Sequence, residues 1–278
     1  MINALVLSKD RACQLRLLLE SIKRYANGFF NEIRIIYTGS NSLYREGYRK
    51  LQSENILHNL VWQKEKEFVP DFLEALNSCK SQYICGIVDD CLFYKQIPIT
   101  WQQAEAAFED DVFCLSFRLG LNTTMQYYLN HEQRYILEDF VTNAYLVKWN
   151  WKNWGSTQNY GYPISLDGHV FRTEELRDLS NKYKFDYLRQ WEGVLAGKSR
   201  EDTHRDQMIA CRQSVLFSSP ANCVQDPPLI SGQLFPYTEE KLNNVYLNGE
   251  AIDFDGMEYA FQNVVWCHNE APLTFKRM

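Results

Sequence analysis

The chain has 278 residues, of which 45% are hydrophobic and 23% charged, a composition typical of a folded globular protein rather than a disordered one. Its formal net charge of −6 argues against nucleic acid or an anionic membrane as a bulk-electrostatic partner, while a local basic pocket remains compatible with it. No signal peptide is recognisable, and no apolar run approaches the ~18 residues that cross a bilayer. A cytoplasmic location is therefore predicted, with peripheral membrane association left open.

The eight cysteines are even in number but form no CxxC pair, and several lie in apolar, strand-like segments. Without a secretion signal, this usage indicates reduced and mostly buried thiols. A disulfide framework or a zinc site is not expected.

The first ninety or so residues alternate between strand-like and helix-like patterns. Short apolar runs predict four strands, at residues 4–7, 32–37, 59–62 and 83–88. The segments between them predict three helices, within residues 15–22, 43–53 and 69–76. This alternation is typical of right-handed βαβ units in a parallel sheet, so an α/β fold is predicted.

The rest of the chain is less regular. Helices are predicted at residues 100–108, 173–184, 186–196, 203–212 and 238–247, and strands at residues 112–117 and 214–218. Residues 118–167 show no clear period and are rich in Tyr, Trp and Asn. Because no repeat, low-complexity tract or flexible linker is present, one compact body is expected.

Two adjacent carboxylates, Asp89 and Asp90, end the strand predicted at residues 83–88. Neighbouring carboxylates repel each other and resist burial, so they either begin a solvated turn or meet a positive group. Ligands of open α/β sheets bind at the carboxyl ends of strands, and a cation carrying phosphate oxygens is a common guest of paired carboxylates. Both interpretations remain open at this point.

Residues 4–11 and 14–22 predict a strand, a polar loop and a helix in that order, and Val88-Asp89-Asp90 follows at the end of a later strand. In these features the first 120 residues or so resemble the GT-A-fold glycosyltransferases of the broad family-2 type. The first segments are similar to that family's opening strand, polar loop and helix, and the Asp pair lies about where the family has its Asp-x-Asp-type motif. The resemblance implies a mostly parallel central sheet flanked by helices. Residues 1–118 would form the nucleotide-sugar-binding half and residues 119–278 an aromatic-rich acceptor-binding half, packed as one continuous domain.

The resemblance further implies a hexosyltransferase-like enzyme that uses a nucleotide-diphosphate sugar and a glycan or lipid-linked acceptor, in polysaccharide or glycan synthesis. The candidate nucleotide-binding residues are Ser8, Lys9, Asp10, Arg11, Thr38, Asp89 and Arg118. A Mg²⁺ or Mn²⁺ ion is expected at the diphosphate, with Asp90, His169 and His268 as candidate ligands. Two departures from the family's pattern stand out. Cys91 is a poor ligand for a hard cation, which counts against the metal. Thr38 stands where the family commonly has an Asp that contacts the nucleobase or ribose.

Two carboxylates are candidate catalytic residues. Glu192 lies on a predicted helix beside an apolar stripe, which favours the raised pKa of a general base, although pairing with Arg189 is the ordinary alternative. Asp167 precedes Gly168 and His169 and is a candidate for positioning donor or acceptor; the alternative is a turn followed by a core histidine. Asp139 is a weaker rival for the base.

Aromatic side chains of the middle segment are candidates for stacking on sugar rings, and we expect two or three of seven to contact ligand: Tyr127, Tyr128, Trp149, Trp151, Trp154, Tyr160 and Tyr162. Two other functions compete with the glycosyltransferase. One is a degenerate GT-A domain that binds glycan or protein without catalysis, suggested by Cys91 and Thr38. The other is a sugar nucleotidyltransferase, disfavoured because the loop at residues 8–11 contains no glycine.

Overall fold

The computed structural model describes residues 1–126, 131–132, 141–142, 144–224, 232–235, 237–257, 264–265, 267–268 and 270–278. The helices are α1 (Ala12–Tyr25), α2 (Ser42–Ser53), α3 (Phe68–Ser78), α4 (Trp101–Ala107), α5 (Thr173–Lys182), α6 (Leu188–Asp202) and α7 (Glu239–Leu247). Asp139, Tyr127 and Tyr128 lie outside the described residues.

The central sheet has nine strands in the order β3-β2-β1-β4-β11-β6-β12-β10-β9. Its strands are β1 (Ile2–Lys9), β2 (Ile33–Thr38), β3 (Leu60–Lys64), β4 (Tyr83–Val88), β6 (Val112–Ser116), β9 (Val141–Thr142), β10 (Leu146–Asn150), β11 (His169–Arg172) and β12 (Gln207–Cys211). Three short pairs complete the strands: β5 (Cys91–Phe93) with β13 (Leu216–Ser218), β7 (Met125–Gln126) with β8 (His131–Glu132), and β14 (Glu250–Ile252) with β15 (Phe275–Arg277).

The first four strands are parallel to one another, as predicted from the alternation of the sequence. Strand β11 is antiparallel to both of its neighbours, β4 and β6, whereas β12 is parallel to β6. The predicted α/β class with a mostly parallel, helix-flanked sheet is confirmed. Strands from both parts of the chain share this sheet.

Side chains that alternate along the strands bury both faces of the sheet. In β1, Ala4 and Val6 face a cluster that includes the apolar stripe of α1. Leu5 and Leu7 face the opposite cluster, which contains Phe72 of α3. Because successive strand residues point to opposite faces, the sheet lies between two hydrophobic layers, which is why its strands are apolar on both sides.

The helix predicted at residues 203–212 is wrong: this segment contains β12. Its Met-Ile-Ala-Cys run is buried and pairs with β6 on one side and β10 on the other. A short continuous apolar run has the same appearance in a buried strand and in a buried helix, so periodicity alone does not distinguish them.

All eight cysteines are free thiols, as the sequence predicts. Within the described residues, no helix combines the length and the apolar character needed to span a membrane.

Candidate active site at the carboxyl ends of the central strands

A cleft of about 700 Å³ lies where several central strands end. Strand β4 pairs with β1 through Leu7 and Val88, so the loops after both strands start at the same edge of the sheet. Strand β11 runs the opposite way, with His169 beside Gly86, and the residues that precede it therefore reach this edge too. The topology thus brings together segments that are distant in sequence.

Most of the predicted site residues line this cleft: Ser8, Lys9, Arg11, Asp89, Asp90, Arg118, Asp167, Glu192 and His268. Asp10, Thr38 and His169 do not line it.

The carboxylate pair after β4 is joined by the guanidinium of Arg11. Its Nη1 donates to Asp89 Oδ1 and to Asp90 Oδ2, both at 3.0 Å. All three side chains are largely withdrawn from water, with relative exposures of 9% for Arg11, 5% for Asp89 and 12% for Asp90. The structure therefore supports the second interpretation, in which a positive group meets the carboxylate pair. That group is a side chain of the protein itself, the guanidinium of Arg11.

Further contacts fix Arg11 and Asp89 in place. Asp89 Oδ2 accepts from Ser8 Oγ at 2.9 Å, and Ser8 Oγ is 2.7 Å from the hydroxyl of Tyr48. Arg11 Nε donates to Asn222 Oδ1 at 2.8 Å, and its Nη2 donates to the backbone carbonyl of Asn222. A buried charge is stable only when paired and hydrogen-bonded, and this network provides both.

Burial raises the pKa of Asp90 to about 6. The charge of Arg11 lowers this pKa, but Arg11 is shared with Asp89, whose own negative charge raises it. The charge of Asp167 acts in the same direction as that of Asp89. Burial raises the pKa of Asp89 as well, so both members of the pair favour the protonated form more than an exposed carboxylate does.

A second charged group lies on the other side of the cleft. Arg118, which follows β6, donates through Nη1 to Asp167 Oδ2 at 2.6 Å, and His268 Nε2 lies 3.5 Å from the same oxygen. Burial raises the pKa of Asp167, but the hydrogen bond from His268 and the charges of Arg118 and His268 outweigh it, so that this pKa lies well below its usual range. Asp167 is therefore a permanent anion that orients two cations.

His268, which lies beside Asp167, is positively charged because its neighbours stabilise the protonated ring. Burial lowers the pKa of His268, while the charge of Cys267 and the contacts with Asp167 raise it, to about 10 overall. Its Nδ1 lies 3.4 Å from Cys267 Sγ.

Glu192, on the first turns of α6, differs from the other carboxylates in the cleft. Burial, followed by the negative charge of Asp167, raises the pKa of Glu192 to about 7. Its Oε1 accepts from the backbone N–H of Leu166 at 2.7 Å, which ties α6 to the segment that carries Asp167. The pairing with Arg189 that the sequence allows is not among its hydrogen bonds or ion pairs. A carboxylate of this pKa can accept a proton near neutral pH.

A divalent cation does not fit the side chains described here. Within the described ranges, no group of three or more His, Cys, Asp or Glu residues is placed to hold a metal ion. Both carboxylate oxygens of Asp89 are hydrogen-bonded, and Cys91 is completely buried with its sulfur 3.6 Å from Ser218 Oγ. The donor set therefore lacks the several open oxygen ligands that Mg²⁺ and Mn²⁺ prefer.

His169, a candidate metal ligand from sequence, lies in the core and not in the cleft. It is completely buried, and its Nδ1 is 3.0 Å from the carbonyl oxygen of Pro163. Burial, assisted by the charge of Arg118, lowers the pKa of His169 to about 3, so this ring is neutral. The structure thus favours the alternative of a core histidine, held through Nδ1 alone, because Nε2 has no hydrogen-bond partner among the described residues.

Asp10 and Thr38 form a support for the loop and do not reach the cleft. Asp10 adopts a left-handed backbone conformation with φ of 59°. Its N–H donates to Thr38 O at 3.0 Å, and its Oδ1 accepts from the N–H of Ser40 at 2.7 Å. These contacts fasten the loop after β1 to the end of β2.

The aromatic middle segment is mainly core. Trp149, Trp151 and Tyr160 are 1% exposed or less, and Trp149 Nε1 donates to the carbonyl of Tyr160. Trp154 is also buried, whereas Tyr162 lines the cleft. The buried aromatic side chains of this segment thus belong to the hydrophobic core. Within its described part, Tyr162 is the candidate for ligand contact.

Two residues that hold the site together are not identifiable from the sequence. Tyr48 lies on α2, where a buried helix tyrosine resembles any other core residue, and Asn222 lies 211 residues from its partner Arg11. Neither position has a local sequence signal, because each role depends on a contact between distant segments.

No protein-family model matches the sequence, and no curated protein matches it either. Among solved structures, the chain is similar to S. aureus TarS residues 1–349 in complex with UDP, at 14% identity, over 94% of this chain and 69% of that one, with a TM-score of 0.49. It is also similar to the mannosyltransferase PcManGT from Pyrobaculum calidifontis in complex with GDP-Man and Mn²⁺, at 11% identity, over 77% of this chain and 56% of that one, with a TM-score of 0.43.

The match to a longer TarS structure covers 80% of this chain but 37% of that one, at 12% identity and a TM-score of 0.47. The chain thus spans less than half of the length of that protein.

Proposed function

We propose that this chain is a glycosyltransferase that moves a sugar from a nucleotide-diphosphate sugar to an acceptor hydroxyl. The observation that carries the proposal is Glu192, a carboxylate with a pKa raised to about 7 that lines the same cleft as Lys9, Arg118 and His268. Transfer to a hydroxyl needs a group that takes up a proton near neutral pH and positive charge near the leaving group. The cleft supplies both.

In this proposal Glu192 is the general base. Its carboxylate takes the proton of the acceptor hydroxyl while the acceptor oxygen forms a bond to the anomeric carbon of the donor sugar. The bond between that carbon and the diphosphate oxygen breaks, and the electron pair leaves with the nucleoside diphosphate. Lys9, Arg118 and His268 then face the negative charge that grows on the diphosphate.

Asp167 acts as a positioning residue here. Since Arg118 Nη1 donates to it at 2.6 Å and its pKa lies below the usual range, it remains ionised and does not compete with Glu192 for the proton. It fixes the direction in which the guanidinium of Arg118 and the ring of His268 face the cleft.

The donor and acceptor are assigned to different parts of the chain. We place the donor against residues 1–118, whose Ser8–Arg11 loop and Asp89 lie at the ends of β1 and β4, and the acceptor against residues 119–278, which contribute Tyr162 and Glu192. A glycan or lipid-linked acceptor and a role in polysaccharide or glycan synthesis follow from the sequence resemblance. The proposal includes no metal-assisted step, because the side chains at the pair do not fit one.

The test combines binding with turnover. Calorimetry with UDP, GDP and CMP and with their sugars should identify one nucleotide class that binds, and incubation with donor and a glycan panel should release the free nucleotide. Glu192→Gln should retain nucleotide binding and lose turnover by about 10²–10⁴-fold, as expected for removal of a general base.

Glu201→Gln is the matched control, because Glu201 lies on the same helix with its side chain 76% exposed, and its one ion pair with a described residue is with Lys198. It should behave as the wild type. Nucleotide-sugar binding without turnover in the wild type, over the whole acceptor panel, would establish a non-catalytic binding domain instead. Release of pyrophosphate from a nucleoside triphosphate and a sugar phosphate would establish the nucleotidyltransferase.

A further inference from the structure

We propose that Arg11 takes the place of a divalent cation between Asp89 and Asp90, so that the nucleotide diphosphate binds in this cleft without a metal ion. This inference rests on the proposed function for the identity of the ligand. Its structural part, the closure of the carboxylate pair by an arginine, is independent of that function.

The first argument is that the carboxylate oxygens are already committed. Asp89 uses Oδ1 for Arg11 at 3.0 Å and Oδ2 for Ser8 at 2.9 Å, and Asp90 uses Oδ2 for the same Nη1 of Arg11 at 3.0 Å. A cation that bridged the two residues would have to take the position of that nitrogen. Arg11 and the ion would therefore exclude each other.

The second argument is that Arg11 is not free to swing away. Its Nε is 2.8 Å from Asn222 Oδ1, its Nη2 contacts the carbonyl of Asn222, and its backbone N–H donates to Tyr48 Oη at 3.2 Å. The residue as a whole is 8% exposed. Displacing it would leave a buried guanidinium without its carboxylates, which is among the more costly changes in a protein interior.

The third argument concerns the remaining candidate ligands. His268 has Nε2 3.5 Å from Asp167 Oδ2 and Nδ1 3.4 Å from Cys267 Sγ, so both ring nitrogens face partners inside the protein. His169 is completely buried and faces Pro163. Asp90 Oδ1 is then the remaining carboxylate oxygen at the pair, and a single carboxylate oxygen is a poor site for a hard cation unless substrate oxygens provide most of the ligands.

Fixed cations of the chain would meet the diphosphate instead. Lys9 ends β1 at the edge of the cleft, is exposed, and makes no ion pair with any described residue. Arg118 lines the opposite side, where Asp167 orients it. Arginine and lysine both bind phosphate oxygens, the former in a fixed fork and the latter as a point charge.

The first experiment uses the wild-type protein. Titration with Mn²⁺, followed by the electron paramagnetic resonance signal of the free ion, should show no stoichiometric site tighter than about 1 mM. Calorimetry should give dissociation constants for UDP and GDP that differ by less than about fivefold between EDTA and excess Mn²⁺. One tight Mn²⁺ site on the protein, or a larger gain in nucleotide affinity with Mn²⁺, would overturn the inference.

The second experiment removes the guanidinium. Arg11→Met leaves Asp89 and Asp90 without their cation, so that this variant should acquire Mn²⁺ binding, seen as a rise in Tm on adding Mn²⁺ that the wild type does not show. Arg16→Met is the matched control, since Arg16 lies on α1, directly after the loop that carries Arg11, but pairs with Glu20 and Glu54. A variant that folds and gains no Mn²⁺ response would contradict the idea that Arg11 occupies a cation position.

Asp90→Asn keeps the inference testable if Arg11→Met does not fold. If no metal binds at the pair, Asp90→Asn should leave the ratio between the nucleotide affinity in Mn²⁺ and that in EDTA unchanged. A change in this ratio would show that Asp90 is a metal ligand and would overturn the inference. The two proposals also fail separately. If neither UDP, GDP nor CMP binds under any condition, the glycosyltransferase proposal fails, while the Mn²⁺ titrations still decide whether Arg11 has replaced the cation.

Discussion

At the scale of single residues, Asp167 and Glu192 line the same cleft but differ in pKa, a difference that the sequence alone does not reveal. Asp167 is held as an anion by Arg118 and His268, whereas Glu192 has a pKa raised to about 7, first by burial and then by the charge of Asp167. Groups whose environments drive their pKa values apart are typical of acid–base sites. The separation of these two values is the reason for choosing Glu192 as the base.

Glu192 should reduce the stability of the protein above mildly acidic pH. Its pKa of about 7 in the folded chain exceeds the usual 4.5 of a glutamate, so folding favours the protonated form and stability falls as pH rises from 4.5 through about 7. We expect Glu192→Gln to raise the unfolding free energy at pH 8 by about 2 kcal/mol and to change it little at pH 4.

Urea denaturation of both proteins across this pH range measures the difference. Turnover of the wild type should increase as pH rises through about 7, because the base must be ionised, and the residual rate of the Gln variant should lose this step. Equal stability of the two proteins at every pH would show that the environment of Glu192 does not raise its pKa.

At the scale of secondary-structure elements, the approach of β4 to the segment before β11 determines where Asp167 and Glu192 lie. Gly86 accepts the N–H of Gly168 at 2.8 Å, and a Cβ at Gly86 would come within 2.1 Å of Leu166 Cδ2 and 3.1 Å of Leu166 Cα. Leu166 in turn donates its N–H to Glu192. The absence of a side chain at Gly86 is therefore what lets this segment pack against β4.

Gly86→Ala should push the segment that contains Leu166 away from β4. We expect the unfolding free energy to fall by about 1–3 kcal/mol, as for other overpacked cores, and turnover to fall more than nucleotide affinity, because the displaced segment orients Glu192 and Asp167. Denaturant titration and steady-state kinetics measure both effects.

The control for this change is Gly193→Ala, also a glycine-to-alanine substitution, at a helix position where an added Cβ meets nothing within 4 Å. It should leave turnover unchanged and raise stability by up to about 1 kcal/mol through helix propensity. A Gly86→Ala protein that behaves like this control would mean that the contact with Leu166 adjusts without cost.

At the scale of the whole molecule, Asn222 connects the later part of the chain to the loop after β1. Replacing it with Ala removes the acceptor of Arg11 Nε and leaves a buried, charged donor unsatisfied. We expect Asn222→Ala to lower the unfolding free energy by about 1–3 kcal/mol. Asn181→Ala, at an exposed asparagine of α5, should change it by no more than about 0.5 kcal/mol.

Chemical denaturation of the two variants provides the comparison, and a double-mutant cycle with Arg11→Met gives the coupling between the two side chains. If Asn222→Ala and Arg11→Met were additive, the hydrogen bond between them would contribute nothing to the fold.

The local patterns of the sequence predict the first part of the sheet well, because between residues 2 and 88 short apolar strands alternate regularly with helices that each bury one recognisable face. They predict β11 and β12 poorly, since these strands are short and no such alternation surrounds them. The cleft residues Asp89, Asp90 and Glu192 are recognisable as charged side chains beside apolar runs. Their partners are not, because Arg11 and Asp89 are separated by 78 residues and only the folded sheet brings them together.

The two hydrogen bonds from Arg11 to Asn222 also have a consequence for the order in which the site forms during synthesis. Arg11 emerges from the ribosome before the amide that fixes its guanidinium, which follows 211 residues later. Because chains begin to fold while they are being made, the arginine is incompletely anchored over the synthesis of that intervening segment. The cleft therefore acquires its final geometry only after Asn222 has emerged, so a chain that stops before this residue would not present a finished site to a nucleotide.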